Sequence, residues 1–267
     1  MRKVKLVVAV LLALTLFMTV ESLAGQVLDR ILQRNELIVG TSGTQPPLTV
    51  KTKSGKLIGL DIDLCKLMAE AMGVKLKLIE RPFHQLLPAI EAGMVDMVVS
   101  GMTMTPKRNL HVAFAGPYYV SGKGVLTKTH TAMKLQDAKA MNQKNFRVAA
   151  LKGSTSQLFV EGVAPKAVFI QTKSLEEAVE LLLNDKVDAL IADHPFCAVN
   201  EFRYRDKGLA AGGAPFTFEP LGIALPPGDS LLNNWVDNFL TMLEGNGGMK
   251  VLKKQWFNPG PWMNDLP

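Results

Sequence analysis

Short β-prone runs alternate with helix-patterned runs along most of this 267-residue chain, and the breaks between them are regular. Residues 37–41 read as a strand, 61–71 as a helix stopped by Gly73, and 74–79 as the next strand. A helix over 86–92 puts Gly93 just past its end, where a left-handed residue is favoured. Residues 97–99 are apolar and β-prone enough for a buried strand. The alternation restarts near Lys123, with strand 147–150, a helix opening at Ser154, strand 168–171, helix 174–184 and strand 189–192. Ser174 followed by Glu177 is a capping-box pattern. After Pro220 come a strand at 222–224 and amphipathic helices at about 230–244 and 248–256. Repeats of strand, helix and strand build α/β folds with mainly parallel sheets, and ligands gather beyond the carboxyl ends of their strands.

Arg2, Lys3 and Lys5 precede an apolar run from Leu6 to Val20, and Ser22-Leu23-Ala24 follows it. That is the plan of a secretory signal peptide over 1–24, with cleavage expected after Ala24. The run is shorter than the ~20 residues of a spanning helix, and a retained anchor is the competing reading. No Cys stands at the cleavage point to carry a lipid. The length suits about two domains of ~150 residues. The formal charge of +6 falls by two when the leader is removed, and the basic residues are scattered. A generic basic surface is expected and no nucleic-acid partner. Export would permit a disulfide between Cys65 and Cys197, but two buried free thiols are the expected state. The four His are dispersed and no metal-ligand spacing occurs, so neither metal nor cofactor is expected.

The stretch 95–123, VDMVVSGMTMTPKRNLHVAFAGPYYVSGK, carries the most chemistry. A buried strand ends in Ser100-Gly101, and Thr103, Thr105 and Arg108 follow. Hydroxyls, open backbone N–H groups and a two-pronged guanidinium in one small volume suit a carboxylate. Pro106 fits the first position of a short helix with Thr105 as its cap. A second strand-to-helix junction, Leu151-Lys152-Gly153-Ser154-Thr155, offers orphan N–H groups to an anion. Ser154 there reads equally as a plain N-cap. Asp193 ends an apolar strand, which suits an ammonium ion or a cap for the turn before Pro195. Arg108 and Asp193 together favour a zwitterion.

Seven segments stand in order: GLDIDLCKLMAEAMG (59–73), LLPAIEAGMVDMVVSGMTMTPKR (86–108), FAGPYY (114–119), FRVAALKGSTS (146–156), VDALIADHP (187–195), PLGIALPPG (220–228) and LKKQWF (252–257). Together they resemble the family 3 extracellular solute-binding proteins, the amino acid receptors of bacterial ABC importers. The resemblance implies a two-lobed, periplasmic-binding-protein-like type II fold, each lobe a mainly parallel sheet with flanking helices. Lobe 1 would be 25–119 plus 221–267 and lobe 2 would be 120–220. Two strands crossing near 117–122 and 218–222 would form the hinge. Gly116, Gly122, Gly124 and Gly222 either absorb hinge motion or serve as turn glycines.

By the same resemblance Arg108 grips the ligand α-carboxylate together with the Thr103 hydroxyl, and Gly101 offers a backbone group to the α-ammonium. The Thr155 N–H, with Ser154 beside it, meets the carboxylate from lobe 2, and Asp193 binds the ammonium. Phe83 matches the aromatic that covers the ligand side chain, and residues 41–47 form the opposite wall. Ser42 stands where many members carry an acid, and Gln45 where some carry a second aromatic. A cationic side chain would be poorly compensated there, so a polar or small-to-medium neutral amino acid is expected. His84 either joins the pocket or faces solvent.

The implied function is a periplasmic receptor that closes on an amino acid and docks transiently on a membrane permease, acting as a single copy without catalysis. The competing enzyme is an exported cyclohexadienyl dehydratase acting on prephenate or arogenate, which needs a general acid. Such enzymes carry Glu in the first helical turn after the lobe 2 Asp. Here that turn is His194-Pro195-Phe196, with no Glu before Glu201, so His194 is the only nearby acid. A sensor input domain would precede a membrane span and a signalling domain, and the sequence to Pro267 contains neither. Docking to a separate sensor stays open.

Overall fold

The computed structural model describes residues 25–135 and 138–267, so the expected leader lies outside the described residues. Helix α1 (Gln26–Arg34) leads into strand β1 (Glu36–Thr41). A small antiparallel sheet follows, made of β2 (Thr44–Gln45), β3 (Thr49–Lys51) and β4 (Leu57–Ile58). Then come α2 (Leu60–Met72), β5 (Lys75–Glu80), α3 (Leu86–Glu91), β6 (Met97–Val98), the short α4 (Pro106–Asn109) and the long β7 (Ala113–Ser121). Strands β5, β1, β6 and β7 run in one direction, and one later strand, β13 (Glu219–Leu225), lies reversed between β6 and β7.

A second five-stranded sheet is built wholly from the intervening chain. It contains β8 (Lys123–Lys128), β9 (Arg147–Leu151), β10 (Val168–Thr172), β11 (Ala189–Asp193) and β12 (Leu209–Ala211) in the order β10-β9-β11-β8-β12. Only β8 opposes the others. Helices α5 (Thr129–Ala132), α6 (Thr155–Val163), α7 (Leu175–Leu183) and α8 (His194–Arg203) flank it, and α9 (Ser230–Gly245) and α10 (Gly248–Phe257) return to the first sheet.

Local chemistry accounts for the element ends. Helix α2 stops at Gly73, whose φ of 68° is left-handed and whose N–H meets the carbonyls of Ala69 and Glu70. Its stripe of Leu64, Cys65, Met68 and Ala69 packs with Leu37 and Val39 of β1 in one core. Each such Leu or Met contributes about 1.5–3 kcal/mol by leaving water. Ser174 caps α7 by accepting from the Glu177 N–H at 3.1 Å, while the Glu177 carboxylate accepts from the Lys173 N–H at 2.7 Å. Asp229 is buried and caps two helices at once. One oxygen accepts from Val27 and Leu28 of α1 at 2.8 and 3.0 Å, and the other from Leu232 of α9 at 2.8 Å.

The crossing strands β7 and β13 pair from Ser121–Glu219 onward, with an irregularity between Leu221 and Ile223. A side chain at Gly122 would meet the Thr217 carbonyl oxygen at 2.3 Å, and one at Gly222 the Ala115 carbonyl oxygen at 2.9 Å. These two glycines are therefore required by close backbone approach. Cys65 and Cys197 are buried free thiols in different halves, and burial pushes both well up in pKa. Among the described residues, no helix is long and apolar enough to cross a membrane.

Candidate functional site

The loop leaving β6 is anchored from three sides. The Ser100 hydroxyl accepts from the Ser42 N–H at 2.9 Å and lies 3.0 Å from the Ser42 hydroxyl, which joins the loops after β1 and β6. Gly101 follows at φ +56°, and a side chain there would collide with Leu48 at 2.8 Å and the Gln45 amide at 2.9 Å. Its N–H donates to Asp61 Oδ2 at 2.8 Å, and Tyr118 donates to Asp61 Oδ1 at 2.9 Å. Burial pushes the Asp61 carboxyl up to about 7, against the lowering effect of the Tyr118 and Gly101 bonds. Met102 and Met104 then bond to β13 through Gly222 and Pro220, so Thr103 is held beside the crossing strand.

Thr105 caps α4 by accepting from the Arg108 N–H at 3.2 Å, with Pro106 at the first helical position. That turn aims the guanidinium across the gap between the two sheets. Arg108 donates to the Thr103 carbonyl at 2.8 Å on its own side and to the Gly153 carbonyl at 3.1 Å on the other. Its guanidinium carbon lies 5.7 Å from the centre of the Phe83 ring. Burial lowers its pKa to about 10, opposed by Asp193 and Glu219, so it stays a cation at neutral pH. Among the described residues Arg108 forms no ion pair.

From the second sheet, Ser154 caps α6, accepting from the Gln157 N–H at 3.2 Å and donating to the Leu151 carbonyl at 2.7 Å. Thr155 donates to Glu219 Oε2 at 3.0 Å and lies 3.3 Å, hydroxyl to hydroxyl, from Thr103. Asp193, at the end of β11, is engaged on both oxygens. Lys123 Nζ donates to Oδ1 at 2.6 Å, and the Gln45 amide donates to Oδ2 at 2.5 Å. Lys123 Nζ is also 3.6 Å from Glu219 Oε2, and Glu219 Oε1 accepts from Thr217 at 3.0 Å.

Gln45, Phe83, Gly101, Thr103, Ser154, Thr155 and Asp193 thus line one cavity, reduced to about 20 Å³. That is room for roughly one water. Arg108 does not line it; the guanidinium lies at the mouth, in an outer groove of about 710 Å³ that shares Phe83, Ser154 and Thr155 with the cavity. Ser42 does not line the cavity; its N–H donates to the Ser100 hydroxyl and its hydroxyl accepts from it. His84 lines the outer groove, and its buried Nδ1 has no partner among the described residues. His194 is outside the cavity, with Nε2 3.0 Å from the Gly213 carbonyl oxygen.

Three site residues escape sequence reasoning. Lys123 opens the strand KGVLTK and reads as an edge charge, yet it is only 2% exposed. Glu219 precedes Pro220 at the start of a strand. Asp61 carried the only usable signal, a charged residue inside the buried stripe of α2.

The chain is similar to an L-arginine-binding protein of Pseudomonas aeruginosa, 31% identical over 232 residues that make up 82% of this chain and 87% of that one. It is also similar to a cyclohexadienyl dehydratase of the same bacterium, 25% identical over 86% of this chain and 85% of the enzyme. Among solved structures, an ancestral amino acid-binding protein described as a precursor of cyclohexadienyl dehydratase superposes with a TM-score of 0.82. The two are 34% identical, over 86% of this chain and 99% of that one. A family model matches residues 37–259, and with that span covered the chain belongs to the bacterial extracellular solute-binding proteins, family 3.

Proposed function

We propose that the protein is a periplasmic receptor that closes on an amino acid and hands it to the permease of an ABC importer. The observation that carries this is the polarity of the site. An unpaired guanidinium, Arg108, stands at the mouth beside Thr103 and Thr155, the Asp193 carboxylate lines the cavity, and Glu219 lies between the Thr155 hydroxyl at 3.0 Å and Lys123 at 3.6 Å. A zwitterion matches both ends, and each charge-assisted bond contributes about 1.5–3 kcal/mol. The ligand carboxylate takes Arg108, Thr103 and the backbone at Thr155, while its ammonium takes Asp193.

The lobes in this reading are 25–119 plus 221–267 and 120–220, hinged where β7 and β13 cross. A cavity of about 20 Å³ admits no amino acid, so loading requires the lobes to part and Gln45 and Lys123 to yield space. Arg108 reaches Gly153 and Thr103 reaches Thr155 across the gap, so a bound carboxylate ties both lobes. Residues 1–24 direct export, and one copy suffices for function. No catalytic step is invoked. A dehydratase needs an acid aimed at a leaving hydroxyl. His194 lies outside the cavity on the Gly213 carbonyl, and Asp193 is held by two donors.

A thermal-shift screen of the exported chain against the twenty amino acids, with prephenate and arogenate turnover measured in parallel, tests the reading. A ligand at a hundredfold excess over Kd stabilises by about 2.7 kcal/mol, a readily visible shift. No shift with any amino acid, or aromatic product above background, overturns it.

A further inference from the structure

We propose that Lys123 sets the ligand's charge: it admits amino acids of zero or negative net charge and turns away lysine and arginine. The inference rests on the amino acid receptor reading and sharpens it. Lys123 is among the largest fully buried side chains in the protein. Its place follows from sheet register, because β8 runs antiparallel to β11 with Lys123 directly opposite Asp193. Its own N–H is fixed by the Thr217 hydroxyl at 3.0 Å. The strand thus fixes where the side chain starts, and the ammonium rests between Asp193 at 2.6 Å and Glu219 at 3.6 Å.

The charges of the site then balance: Arg108 and Lys123 against Asp193 and Glu219. A zwitterion preserves that balance, with its carboxylate on Arg108 and its ammonium sharing the acid pair with Lys123. A cationic side chain adds one more positive charge, and no acid remains to receive it. Apart from Lys123 and Asp193, the cavity wall is uncharged; it includes Gln45, Phe83, Thr103 and Thr155. The Asp61 carboxyl lies behind Gly101 and is occupied by the Gly101 N–H and the Tyr118 hydroxyl. In a site closed to water, an uncompensated charge is repelled strongly. A neutral or acidic side chain meets no such barrier, and an acidic one finds Lys123 as an added partner.

Isothermal titration of the exported chain with serine, glutamine, glutamate, lysine and arginine tests this. Wild type is expected to bind at least one neutral or acidic member, with lysine and arginine weaker by at least about 100-fold. Lys123→Met keeps the aliphatic stem and removes the charge, and is expected to shift the preference toward lysine and arginine by at least about tenfold. Adding Glu219→Gln restores the balance and is expected to cancel that gain, which separates charge from shape. Lysine or arginine binding to wild type as tightly as the best neutral ligand overturns the proposal. So does a preference unchanged in a folded Lys123→Met or Lys123→Gln variant. If the variants do not fold, the charge order measured on wild type stands as the test. Failure of the receptor reading looks different: wild type then binds none of the twenty amino acids.

Discussion

Replacing Asp61 by asparagine should change how stability depends on pH. In the folded protein burial raises this carboxyl from 3.8 to about 7, against the bonds from Tyr118 and Gly101. The shift is about three pH units, and each unit is worth 1.36 kcal/mol, so the group accounts for up to about 4 kcal/mol. The sign follows from proton counting. Between pH 3.8 and 7 the folded chain holds a proton that the unfolded chain has released, so raising the pH through that window costs stability. Below it the contribution is fully present, and above it the whole cost of a buried carboxylate is borne. The side-chain amide of the variant keeps an acceptor for the Gly101 N–H and a donor for the Tyr118 oxygen but cannot ionise. Urea unfolding of both proteins from about pH 4 to 8 measures the effect. Glu176, raised to about 7 mainly by burial, titrates in the same window and cancels in the difference. The expected result is a variant that gains on wild type as the pH rises, by up to about 4 kcal/mol. Parallel curves, or a wild type that gains on the variant, would refute the reasoning.

Arg108→Ala should weaken amino acid binding by about 100-fold or more and also lower the unfolding midpoint, since guanidinium bonds to the Thr103 and Gly153 carbonyls and the contact over the Phe83 ring are lost, and the binding loss should exceed what the stability loss accounts for; calorimetry with a matched thermal melt reads both. Asp193→Asn should weaken amino acids more than their des-amino analogues, and it should also lower stability because Lys123 is left with Glu219 alone; paired titrations and melts check this. Asp229→Ala should destabilise by about 1–4 kcal/mol in urea, since it uncaps two helices at about 0.5–2 kcal/mol each. Neither Cys65 nor Cys197 should react with a thiol reagent in the native protein, and both should react after denaturation, because burial keeps each protonated and covered.

Local chemistry made the architecture readable and long-range chemistry made the site only partly so. Thr105, Ser154 and Ser174 cap the helices they precede, and Gly73 and Gly93 are left-handed where a helix stops. Strands β2 to β4 are two or three residues long, too short to show alternation, and none was legible. Pattern put Thr103, Thr155 and Asp193 at element ends, but it was the family resemblance that brought them and Phe83 to one cleft. Lys123 could not, since its meaning depends on a register with a strand some seventy residues later. Ser42 was expected at the ligand wall, but its N–H donates to the Ser100 hydroxyl and its own hydroxyl accepts from it, fifty-eight positions away. Pattern reports which face a residue takes; it does not report which partner waits there.

The reversed strand β13 carries a consequence for assembly. All five strands of the second sheet lie between residues 123 and 211, whereas the first sheet lacks a central member until residue 219 is available. A polypeptide made from its N-terminus therefore possesses everything needed for the later-starting half while the earlier-starting half still has a gap between β6 and β7. The first α-helix likewise waits for Asp229 before its leading amides are satisfied. Such distant closure slows folding, because loop entropy is spent before contacts reward it. The half that begins the chain is the last to be finished.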